Sequence, residues 1–143
     1  MSRYNPWRQL RHAFPHIALT TNQGLPEGRA GSQTSDRIYL HRRLGQCGRR
    51  CTLTHELVHK ERGTICTPDQ YTREEAIVDE IAARRLITVD QLVDALLWTS
   101  SLAGAEAADE LWCNDHMLHV RLCTLTAAEH ADITDEIRRR QPW

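Results

Sequence analysis

Two histidines four residues apart, with a glutamate directly after the first, constrain this chain more than any other feature: His55-Glu56-Leu57-Val58-His59. On an α-helix, residues i and i+4 lie one above the other on the same face. His55 and His59 can then aim ring nitrogens at one ion. Glu56, about 100° round the helix, can reach a water on that ion without ligating it. The same spacing also occurs on helices whose histidines only pack or face solvent. The rest of the chain has to separate a zinc helix from an ordinary one.

The flanks read as a helix. Cys51, Leu53, Leu57 and Val58 recur at helical spacing from about Leu44, and Gly63 can close the segment. Ahead of it the pattern is different. Asn5 and Pro6 suit the start of a short helix running to about Ala13. Ile17, Ala18 and Leu19 suggest a strand, and the alternation in Arg37-Ile38-Tyr39-Leu40-His41 a second. The Gly-, Ser-, Asn- and Pro-rich stretch between them is turn material, with a brief strand over Arg29 to Gly31. Beyond Gly63 the chain reads as helices throughout, with "TVDQLVDALLW" burying Leu92, Val93, Leu96 and Leu97, and a polar helix closing the C-terminus.

Zinc hydrolases usually take three protein ligands and leave a position for water. After a fifteen-residue gap Glu75 is the candidate third ligand, and Asp79 follows it at i+4 on the same face. Asp79 is expected to accept a hydrogen bond from a ligand histidine and so select its tautomer. Glu75 also has a purely structural alternative: Thr72 as an N-cap, with Glu75 three residues on, forms a capping box. Lys60 sits where zinc-protease helices usually carry no charge. A rival site built from Cys47, Cys51, His55 and His59 fails on geometry. Steps of four overshoot a turn by about 40° each and spread the four residues over about 18 Å of helix axis.

Composition narrows the function classes. The 143 residues carry a formal net charge of -1, which disfavours a large nucleic-acid footprint. Their size suits one domain, divided as a catalytic core over residues 1–88 and a helical region over 89–143. No apolar run approaches the roughly 20 residues of a membrane span, and the N-terminus shows no secretory pattern. A cytoplasmic protein without a membrane partner is expected. The five cysteines (Cys47, Cys51, Cys66, Cys113, Cys123) are then expected as thiols.

Arg49 to His59 ("RRCTLTHELVH") and Arg73 to Thr88 ("REEAIVDEIAARRLIT") together resemble the ImmA/IrrE family of zinc metallopeptidases. Glu75, Asp79, Ala82, Ala83 and Leu86 match the frame of that family's second motif. Val78, Ile81 and Thr88 depart from its usual Ala, aromatic and Pro. The departures bear on how this helix packs and on the choice among Glu74, Glu75 and Glu80. The resemblance covers roughly residues 16 to 125. It implies an α+β, zincin-like (minimal gluzincin) fold, with a short antiparallel sheet packed on an active-site helix and a glutamate helix. It also implies a zinc (Zn2+) endopeptidase of bacterial or phage origin whose substrate is a helix-turn-helix repressor.

In that reading His55, His59 and Glu75 hold zinc and Glu56 is the base. Tyr71, His116 and His119 are spare donors that could stabilise an oxyanion. The C-terminal third supplies the rival function. Ala107, Ala108 and Leu111, then Cys113 in a turn, then Leu118 and Leu122 resemble a helix-turn-helix. A regulatory protein binding DNA or a repressor through this hairpin, without proteolysis, is the alternative. Its second helix offers Asn114, Asp115, His116, His119 and Arg121, and so only one firm positive charge.

Overall fold

The computed structural model describes residues 3–63, 67–102 and 104–141. Within them the chain is α+β. In order it forms α1 (Pro6–Ala13), β1 (Ala18–Gln23), β2 (Gly31–Gln33), β3 (Arg37–His41), α2 (Gln46–Arg62), α3 (Pro68–Leu86), α4 (Val89–Thr99), α5 (Ala105–Glu110), α6 (Asp115–Cys123) and α7 (Ala127–Arg140). None of the described helices is long and apolar enough to cross a membrane. Cys47, Cys51, Cys113 and Cys123 are free thiols, while Cys66 lies outside the described residues.

The sheet has strand order β1-β3-β2, and it is mixed rather than antiparallel as expected. Thr34–Asp36 turn the chain tightly, so β2 and β3 form an antiparallel hairpin with Gly31 opposite Leu40 and Gln33 opposite Ile38. β1 pairs with the other side of β3 and runs parallel to it, Leu19 opposite Ile38. The long segment between β1 and β2 reverses the chain before the hairpin begins, and this makes β1 and β3 codirectional. The brief strand expected over Arg29 to Gly31 is displaced by two residues, because the turn at 34–36 sets the register.

α2 lies between two apolar layers. On one side Leu53 and Leu57 join Leu10, Ile17, Ile38 and Leu40 from α1 and the sheet. On the other, Cys51 and Val58 join Val78, Ala82, Ala83 and Leu86 of α3, together with residues of α4, α5, α6 and α7. The two residues between Glu56 and His59 thus enter different layers. That pins the rotation of α2 about its axis and leaves His55 and His59 on the remaining face. Ala82 and Ala83 are wholly buried, and their small size suits close helix packing. The second layer continues without a break past residue 88, from Leu86 and Ile87 to Leu92 and Val93.

Arg50 anchors this arrangement from inside. It is 4% exposed and donates to the carbonyls of Tyr4, Leu86, Leu111 and Trp112, the last at 2.8 Å. Carbonyls at the end of α3 and in the α5–α6 turn receive donors that helix geometry cannot supply. Arg121 plays a similar part in α6. It is 3% exposed, donates to Ile87 O at 2.8 Å and pairs with Glu129 at 2.6 Å. The one firm positive charge of the helix-turn-helix reading is therefore spent inside the fold. The hairpin itself forms as expected, with Ala107, Ala108, Leu111, Cys113 and Leu118 buried and Asn114 capping α6.

One expected boundary is corrected. α3 starts at Pro68 with Thr67 as its N-cap, the Thr67 side chain accepting from Gln70 N at 3.2 Å. Thr-Pro places a cap and a preset φ side by side, and so begins the helix earlier than Thr72 would. Thr72 lies inside α3 and donates to the Pro68 carbonyl. Glu75 therefore has no capping role, and its carboxylate is available to the cleft.

Candidate metal centre

α2 and α3 present His55, His59, Glu75 and Asp79 to a common cleft. The Nε2 atoms of His55 and His59 face each other at 3.1 Å. Glu75 reaches both: Oε1 lies 2.6 Å from His59 Nε2, and Oε2 lies 3.2 Å from His55 Nε2. One ligating atom from each of the three residues lies within 4.8 Å of the others, and no other such group occurs among the described residues. Of the neighbouring glutamates, Glu75 is the one that faces the histidines. Glu74 is held by Arg62 at 2.6 and 2.8 Å, and Glu80 lies near Arg84 at 3.5 Å.

Asp79 stands behind His55. His55 Nδ1–H donates to Asp79 Oδ1 at 2.8 Å. A carboxylate can only accept, so Nδ1 carries a proton, and Nε2 is the nitrogen that faces Glu75 and His59. His116 of α6 donates from Nε2 to the second Asp79 oxygen at 3.0 Å, and Asp79 thus joins two imidazoles on different helices. Burial disfavours the charged form of His55, but the Asp79 hydrogen bond and the charges of Glu75, Asp79 and Glu56 outweigh it and raise its pKa. Burial also acts to raise the Asp79 carboxyl. The hydrogen bonds and charges of His55 and His116 prevail and hold it below the usual range.

Glu56 lines the same cleft but is not one of the converging groups. Its Oε2 accepts from Gln33 Nε2 at 2.5 Å, and its backbone carbonyl accepts from the same nitrogen at 3.0 Å. Gln33 was not legible as a site residue. Counting back from the 34–36 turn would have placed it on β2, but nothing in its spacing points at Glu56. The ammonium of Lys60 donates to the Thr34 carbonyl in the hairpin turn.

The spare donors are placed unequally. Tyr71 and His116 line the cleft. Tyr71 is 50% exposed, and partial burial together with the Glu75 charge raises its phenol pKa. His119 is not among the lining residues, and its ring lies 3.5 Å from Cys123 Sγ.

The cleft holds about 1150 Å³, more than the roughly 300–1,000 Å³ of a small-molecule pocket. It runs past β2, with Arg29, Ala30, Gly31, Ser32, Gln33 and Thr34 along one wall. Two imidazoles, one carboxylate, a second carboxylate held by Gln33 outside the converging group and a large cleft are a combination suited to metal-assisted hydrolysis. No family model, curated protein or solved structure matches this chain.

Proposed function

We propose that this chain is a zinc-dependent endopeptidase, with His55, His59 and Glu75 as metal ligands and Glu56 as general base. The convergence of three ligating atoms within 4.8 Å carries the reading. The chemistry of the donor set fits zinc: two neutral imidazoles and a carboxylate are a known hydrolase combination that leaves a position open. The His55 tautomer selected by Asp79 presents a lone pair on the correct nitrogen. Bound there, zinc supplies Lewis acidity and brings the pKa of a water toward neutrality.

The chain's own residues do the rest. Glu56 takes a proton from the attacking water as its oxygen bonds to the scissile carbonyl carbon. It then passes that proton to the amine nitrogen as the peptide C–N bond breaks. Tyr71, at the cleft, is the donor available to the oxygen that gains charge, while His116 gives its Nε2–H to Asp79. An extended peptide fits the cleft along β2, whose outer edge carries backbone groups not used by β3.

A helix-turn-helix repressor as the substrate rests on the resemblance to the ImmA/IrrE family, in the motifs around His55–His59 and Glu75–Leu86. A bacterial or phage setting rests on the same ground, and a cytoplasmic site of action on the lack of a secretory pattern and of a membrane-length apolar run. The DNA-binding alternative is weakened by the burial of Arg121.

The test is co-incubation with any helix-turn-helix repressor found encoded beside this gene, with Glu56→Gln as control. Wild type should yield one new fragment. The variant should retain zinc and lose cleavage by about two or more orders of magnitude. Unchanged cleavage by the zinc-loaded variant would remove Glu56 from the proposed role.

A further inference from the structure

We infer that Gly31 and Gln33 of β2 form the seat that orients the Glu56 carboxylate, with Gln33 as a positioning residue for the base. The inference rests on the proposed hydrolase reading and extends it to a strand that no motif marks.

Two independent contacts place the seat. Gln33 Nε2 lies 2.5 Å from Glu56 Oε2 and 3.0 Å from the Glu56 carbonyl oxygen. Both partners accept, so the amide must present its NH2 end to them. One amide nitrogen thereby ties the carboxylate to the main chain of its own residue, which leaves the side chain little freedom to swing.

Gly31 sets the other boundary. A Cβ on Gly31 would meet Thr52 Cγ2 at 2.6 Å, Glu56 Oε1 at 3.0 Å and Glu56 Cγ at 3.3 Å. Thr52 is β-branched on a helix and has few rotamers in which to yield. Glycine therefore lets β2 approach α2 closely enough for Gln33 to reach. The spacing is that of a strand: residues 31 and 33 share one face of β2, and that face meets Glu56. One oxygen is held by Gln33 and the other lies over Gly31, so the carboxylate has a fixed plane. A base that must take a proton from one place and deliver it to another gains rate from such a fixed orientation.

The experiment uses the full chain and two readouts. With zinc loaded, Gln33→Leu and the isosteric Gln33→Glu should lower kcat by about 10–100-fold, with KM and zinc content at wild-type values. In the metal-free protein, a thermal double-mutant cycle of Gln33→Leu with Glu56→Ala should be non-additive by about 3 °C in Tm. A Gln33→Leu enzyme that turns over at the wild-type kcat, or Tm losses that simply add, would overturn the inference. Absence of cleavage by wild type itself would count against the proposed function instead, and the metal-free cycle still decides whether Gln33 holds Glu56.

Discussion

His55 Nδ1 donates to Asp79 Oδ1 at 2.8 Å, across the interface of α2 and α3. This bond fixes which His55 nitrogen carries the proton and hence which one faces Glu75. It also ties the rotation of one helix to that of the other. Asp79→Ala should weaken zinc binding by about 10–100-fold without abolishing it. Competition with a chelator of known affinity measures this, and an unchanged affinity would show that the His55 orientation does not depend on Asp79.

Glu75 and Glu74 are adjacent but have different partners: Glu75 faces the histidines and Glu74 faces Arg62. Glu75→Ala should lose stoichiometric zinc, as should His59→Ala. Glu74→Ala and Cys47→Ala should keep one equivalent. Elemental analysis of the four purified variants separates this site from one that uses Glu74 or a thiolate.

Leu57 is wholly buried in the layer that α2 shares with the sheet. Leu57→Ala removes that packing and leaves a cavity, which costs about 2–5 kcal/mol. Denaturant unfolding of the metal-free protein should report this loss. Because Leu57 and Val58 together set the rotation of α2, zinc affinity should fall as well. Loss of stability at full zinc affinity would mean that α2 keeps its rotation without Leu57.

Glu129 caps α7 and receives Arg121 at 2.6 Å and Arg84 at 2.9 Å. The Arg121 hydrogen bond, then the Thr126 amide and Arg84, outweigh desolvation and hold its carboxyl down at about 2. The pKa is depressed on folding, so the stability it contributes is present above the unfolded value, roughly 4.3. It is lost as pH falls from there toward 2. Wild type should therefore exceed Glu129→Gln in Tm at pH 6, and the gap should close between about pH 4.3 and 2. A gap that stays constant through this window would show that the Glu129 charge adds nothing.

Much of the fold was legible because it depends on local rules. Pro6–Ala13 follows from an Asn-Pro start, and Arg37–His41 from alternation that buries Ile38 and Leu40. The α5–α6 hairpin follows from its small and apolar residues and the Asn114 cap. The start of α3 was misplaced by five residues, because Thr67 followed by Pro68 caps the helix ahead of Thr72. The strand direction of β1 was not legible either. Alternation reports which residues face inward but not which neighbour a strand will choose.

By itself the sequence determined that His55 and His59 share a helix face, because the period of the α-helix is a property of the backbone alone. It likewise determined that Glu75 and Asp79 share the face of another helix. Whether those two faces meet was decided only by tertiary structure. Val58 on α2 and Val78, Ala82 and Ala83 on α3 enter one apolar layer, and that packing turns the two polar faces toward the same cleft. The contacts that complete the site also lie far apart in the chain: His116 reaches Asp79 across 37 positions and Gln33 reaches Glu56 across 23. No periodicity spans such separations. They are set by how the sheet and the C-terminal helices pack on α2 and α3.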